Sequence, residues 1–173
     1  MNKDNHIQIF IGKEYHKKQI TKIQEPIYQI MNLQEQYCAI RSLYLSSLNS
    51  LSLLEKEILR CLQKKRSGYI QQDLKKGYDR ESVVSIEEIL ELLILSKYKC
   101  CYCECPLYII YTHKKEPRQW TLDRLNNDKG HTPLNCVISC LVCNLQRRRM
   151  THRRFQQGKQ IVCQFSKDKF IME

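Results

Sequence analysis

Four cysteines in two pairs are the residues whose spacing first points to chemistry. Cys100 and Cys103 lie in "KCCYCECP", and Cys140 and Cys143 in "SCLVCN", each pair as Cys-x-x-Cys. Such a turn presents two thiolates to one Zn²⁺, and two turns together close a tetrahedral Cys₄ site. A zinc ion held by four thiolates keeps no open position and activates no water, so the expected role is a staple whose binding energy is folding energy. Cys101 and Cys105 are close enough in sequence for either to replace a neighbour in the first pair. Cys136 precedes Cys140 by four residues of an extended stretch, about 13 Å away and too far to share the ion. Cys38, Cys61 and Cys163 read as core fillers.

A second group of candidates lies between and after the cysteine pairs, in "WTLDRLNNDKGHTPLNCVISCLVCNLQRRRMTHRRF". "QWTL" reads as a strand, "NNDKGHTP" as a polar loop, "CVIS" as a returning strand, and the rest as a continuous helix. Arg147, Arg148, Arg149, Arg153 and Arg154 stand on that helix with no acid among them, as a face that would follow a phosphate backbone. Leu141, Leu145 and Phe155 read as its buried stripe, and Trp120 as core. The formal charge of +11 is uneven. Residues 1–98 hold 15 basic and 12 acidic side chains (+3), and residues 99–173 hold 14 and 6 (+8). Nucleic acid is the partner such a balance implies.

Strand, loop, strand and helix, clamped by cysteine pairs on either side of the hairpin, resemble the HNH endonuclease superfamily, the ββα-metal nucleases, over about residues 85–155. Trp120, Gly130 and "CNLQRRR" are similar to a subgroup found in large DNA viruses, in which "LDRxNNDxGH" replaces the usual Asp-His form. The resemblance implies that Asp123 and Asn144 hold a divalent ion, Mg²⁺ or Mn²⁺, and that Asn135 orients the general base. A hard cation takes such oxygen ligands and would stabilise charge building up on phosphate. Arg124 stands where the family has its base, and a guanidinium stays protonated above pH 12. Two readings follow. In one, His131 activates the water while Arg124 clamps a phosphate oxygen, giving an endonuclease that hydrolyses phosphodiester bonds, with double-stranded DNA as partner. In the other, the site is degenerate and the chain is a zinc protein that binds DNA or RNA. His152 is a weaker candidate base, His113 a surface residue.

The elements that must position these groups are expected to make an α+β fold: a zinc-clamped ββα-metal domain over residues 68–173, with a helical N-terminal region over residues 1–67. "HIQIFIG" alternates like a short strand. Apolar spacing from Pro26 to about Leu48 predicts a first helix. Ser52 with Glu55 forms a capping box that opens a second, expected to stop at Ser67-Gly68, and Ser85 with Glu88 opens a third. "YIQQDLKKGYDRES" reads as a solvated connector. The start of the sequence lacks the apolar stretch of a signal peptide, and no segment reaches the roughly 20 apolar residues of a membrane span. An intracellular, reducing compartment is therefore expected, cytoplasm or nucleus and, by the resemblance, that of a virus-infected host.

Overall fold

The computed structural model describes residues 32–45 and 50–169, with side chains as far as Ile161. The strand expected over "HIQIFIG" and the early part of the first helix lie outside those residues. Three helices precede the hairpin: α1 (Leu33–Leu45), α2 (Leu53–Leu74) and α3 (Ile86–Leu95). Both predicted capping boxes are present. Ser52 Oγ accepts from the Glu55 amide while the Glu55 carboxylate accepts from the Ser52 amide, and Ser85 and Glu88 repeat the exchange. β1 (Trp120–Arg124) pairs antiparallel with β2 (Cys136–Cys140), followed by α4 (Leu141–Arg147) and α5 (His152–Lys169). The described chain is thus α+β, with a two-stranded sheet and a four-cysteine cluster.

Two expectations about helices need correction. α2 does not stop at Ser67-Gly68 but runs on to Leu74, so the expected boundary at residue 67 falls inside it. One glycine in a helix interior costs about 1 kcal/mol, which the packing of Tyr69, Ile70 and Asp73 beyond it offsets. The helix after Cys140 is not continuous either. It breaks at Arg148, whose backbone (φ 50°, ψ −113°) lies outside the helical region. Leu145 is consequently 64% exposed rather than part of a stripe, whereas Phe155 is buried.

The core is built from Ile40, Leu43, Ile58 and Leu62 of the first two helices, Ile89 and Leu93 of α3, and Leu107, Trp120, Leu122 and Ile138 around the hairpin. α2 packs directly on the hairpin. Tyr69 Oη accepts from the Leu122 amide at 3.0 Å, and the Lys65 ammonium donates to the Trp120 carbonyl while lying 4.6 Å from the centre of the indole ring. Burial pulls the Lys65 pKa down to about 7. Cys136 is buried away from the other cysteines and Cys61 is half-buried, but Cys38 is exposed on α1 and fills no core position.

Candidate functional site

The antiparallel register gives the hairpin two unlike ends. At one, Trp120 faces Cys140; at the other, Arg124 faces Cys136, next to the loop that carries His131 and Asn135.

At the first end the Sγ atoms of Cys100, Cys103, Cys140 and Cys143 all lie within 4.8 Å of one another. Cys103 and Cys140 sulfurs are 3.9 Å apart. A tetrahedron of Zn–S bonds of about 2.3 Å has edges of about 3.8 Å, so the spacing fits. Two sulfurs also accept backbone amides, Cys100 from Tyr102 at 3.5 Å and Cys140 from Cys143 at 3.4 Å, which favours thiolate over thiol. The cluster can hold a metal ion such as zinc. It joins the turn after α3 to the end of β2 and the start of α4, and the Cys101 amide donates to the Ile138 carbonyl beside it. Cys101 and Cys105 are half-buried and fall outside the set of four.

At the other end a cavity of about 600 Å³ is lined by Asp123, Arg124, His131, Asn144 and the three consecutive arginines Arg147, Arg148 and Arg149, together with Lys76. Five cationic side chains thus surround a single carboxylate. Arg148 reaches this wall because the chain turns there through a left-handed φ that a side chain normally avoids, held by the Asn127 amide on its carbonyl at 3.0 Å.

His131 is fixed by a residue that the sequence reading passed over. Asp73, fully buried at the end of α2, accepts from the His131 amide at 2.6 Å and pairs with His131 Nδ1 at 2.8 Å. Gly130 permits this approach, since a Cβ there would stand 3.0 Å from the Asp73 carboxylate. With Nδ1–H donated to a carboxylate, Nε2 is the nitrogen left to accept a proton. The ring also packs on Tyr69, 4.7 Å between centroids. Burial lowers the His131 pKa, partly opposed by Asp73. The signal for Asp73 was helical spacing: it continues the face of Ile58, Leu62 and Tyr69 on a helix expected to have ended.

Asn135 plays a different part from the one the resemblance implies. Its side chain accepts from the Asn126 amide and donates to the carbonyls of Asn126 and Gly130 at 2.9 to 3.0 Å, closing the loop without bonding the imidazole. The imidazole of His131 is bonded by Asp73 instead. Arg124 donates to the Lys129 carbonyl at 3.2 Å and lies on the cavity wall.

Asp123 and Asn144 line the same cavity, but both oxygens of Asp123 and the Nδ2 of Asn144 are engaged with protein. Arg147 Nη2 donates to Asp123 Oδ1 and Arg147 Nε to Oδ2, both at 2.6 Å, and the Tyr102 hydroxyl donates to Oδ2 at 2.6 Å. Asn144 Nδ2 donates to Thr121 Oγ1 and to the Leu122 carbonyl. A hard divalent ion takes oxygen ligands that face it, whereas both Asp123 oxygens here face a bidentate guanidinium whose charge already compensates the carboxylate. This arrangement does not fit Mg²⁺ or Mn²⁺. Arg147, expected on an exposed basic face, is only 2% exposed, whereas Arg148, Arg149, Arg153 and Arg154 are exposed as expected. Tyr102 gave no spacing signal, because it sits inside the first cysteine turn. His152 is half-buried, with Nδ1 3.0 Å from the Tyr102 hydroxyl; His113 is exposed.

No family model matches the chain, and no curated protein or solved structure matches it. Among the described residues no helix is long and apolar enough to cross a membrane.

Proposed function

We propose that the chain is a zinc-clamped protein that acts on nucleic acid, seating the phosphodiester backbone in the cleft beside Asp123. The observation that carries this reading is the lining itself. Lys76, Arg124, Arg148 and Arg149 face the cleft with no acid to oppose them except Asp123, which Arg147 already neutralises. The guanidinium groups of Arg124, Arg148 and Arg149 offer planar forked donors that suit phosphate oxygens. The loop residues Asn126, Asn127 and Asp128 border a second cavity that shares Lys76, Arg147 and Arg149, so the basic track extends past the hairpin tip. Zn²⁺ is the proposed occupant of the cysteine cluster. Fluorescence anisotropy with duplex DNA and with RNA tests the reading. Binding should weaken steeply with salt, and Arg148→Gln with Arg149→Gln should reduce the log–log slope by about two. Salt-independent binding, or none at low salt, removes the proposal.

Endonuclease activity is the sharper form of the same proposal, and the Asp73–His131 pair favours it. In that form His131 Nε2 takes a proton from water, the water oxygen bonds to phosphorus, and the bond to the leaving sugar oxygen breaks with its charge facing Arg124 and Arg148. Plasmid nicking that falls about 10²- to 10⁴-fold in His131→Ala would support it. Nicking indifferent to His131→Ala would leave the binding protein alone.

A further inference from the structure

Every family-like metal ligand on the hairpin is present in the sequence, yet the carboxylate among them already has a cation. We infer that Arg147 is that cation by design: its guanidinium takes the place of a divalent ion on Asp123, neutralising the carboxylate from within the protein, so that the cleft binds no metal there and its other cations are left to meet phosphate.

The geometry is more complete than a chance ion pair. Both Asp123 oxygens accept from Arg147, and Oδ2 also accepts from Tyr102. The guanidinium is held from its other sides by three further acceptors: the Met150 carbonyl at 2.6 Å, the Arg124 carbonyl at 2.7 Å and Asn127 Oδ1 at 2.9 Å. Arg147 and Asp123 are each almost fully buried, with side-chain exposures of 2% and 4%. A bidentate pair satisfied on every side is the condition under which a buried ion pair persists. Arg147 is the last residue of α4, three positions beyond Asn144, and the chain leaves the helix through the strained Arg148 immediately after it. That break sets the Met150 carbonyl against Nη1. The same guanidinium borders both the main cleft and the neighbouring cavity at the loop, where a phosphate would arrive.

The inference rests on the proposed function only for what occupies the cleft; its test does not need nucleic acid. Mn²⁺ is titrated into the purified, metal-clamped protein and free Mn²⁺ is read by electron paramagnetic resonance. Wild type and Asp123→Asn should give the same uptake. Arg147→Met should gain one Mn²⁺ per chain, and Arg147→Met with Asp123→Asn should lose it again. Wild-type uptake that Asp123→Asn abolishes, or an Arg147→Met protein that gains none, overturns the inference. Should Arg147→Met not fold, wild-type crystals grown with MnCl₂ decide: an anomalous peak on Asp123 overturns it, and an intact pair without one upholds it. Nucleic-acid affinity in chelator-free buffer without added divalent ion should match that in Mg²⁺ within twofold at equal ionic strength. Absence of any nucleic-acid binding defeats the proposed function and leaves the Mn²⁺ result standing.

Discussion

The two ends of the hairpin are built from residues equally visible in the sequence, yet only one end assembles as its residue types suggest. At the sulfur end, four cysteine sulfurs converge within 4.8 Å of one another and can hold a metal ion. At the cleft end, the carboxylate is met by a guanidinium and a phenol from the protein itself. The difference lies in range. A Cys-x-x-Cys turn fixes two ligands within four residues, whereas the environment of Asp123 is set by partners 21 and 24 residues away along the chain. Local spacing can announce a ligand; it cannot announce a competitor.

The largest effect that sharpens the comparison is removal of the metal proposed for the cysteine cluster. Structural zinc contributes roughly 10–16 kcal/mol of binding free energy in small domains, more than a typical folding stability. Chelation, or Cys140→Ser, should therefore unfold residues 98–155 as a unit, read by loss of the Trp120 emission shift. Tyr102 lies within the first cysteine turn and bonds Asp123, so the cleft should collapse in the same transition. Retention of the Asp123–Arg147 pair in chelated protein would break the link between the two ends.

The next effect comes from splitting the ion pair. Asp123→Asn leaves Arg147 buried beside a neutral amide, and breaking a buried pair on one side costs about 3–5 kcal/mol. Urea melts should show a loss of that size, against far less for Asp123→Asn combined with Arg147→Met, in which no charge is stranded. Equal losses in the single and double variants would mean that the pair contributes packing alone.

These two effects also divide what the sequence could tell from what it could not. Both capping boxes, the hairpin, the four cysteines and the loop position of His131 follow from spacing over three or four residues. The length of α2 does not, because Ser67-Gly68 looks like a stop until Tyr69 and Asp73 are seen to have partners on β1 and the loop. Nor does the break at Arg148, where an all-arginine stretch of good helix formers is turned by a tertiary contact with Asn127. Asp73 lies in a stretch that reads as a polar connector, although a carboxylate at a buried helical position needs a partner. The cleft is thus half legible: its loop and strand residues carry motif-like spacing, and the helix that orients them carries only a periodicity that must be followed one turn further.

The smallest effect tests that last turn through pH. Burial holds the His131 pKa below its ordinary value of about 6.5. The unfolded chain therefore binds a proton that the folded chain refuses, and stability falls as pH drops below about 6.5 toward the folded pKa. Asp73 opposes the burial by favouring the imidazolium. Asp73→Asn should consequently move the His131 titration, followed by its ring-carbon proton resonance, to still lower pH and widen the window in which acid destabilises the protein. It should also free the ring to exchange tautomers, since an amide can either donate to Nδ1 or accept from it. A titration left unchanged by Asp73→Asn would show that His131 is held by its walls rather than by the carboxylate. The ring would then be placed by packing on Tyr69 of α2 rather than by the buried carboxylate.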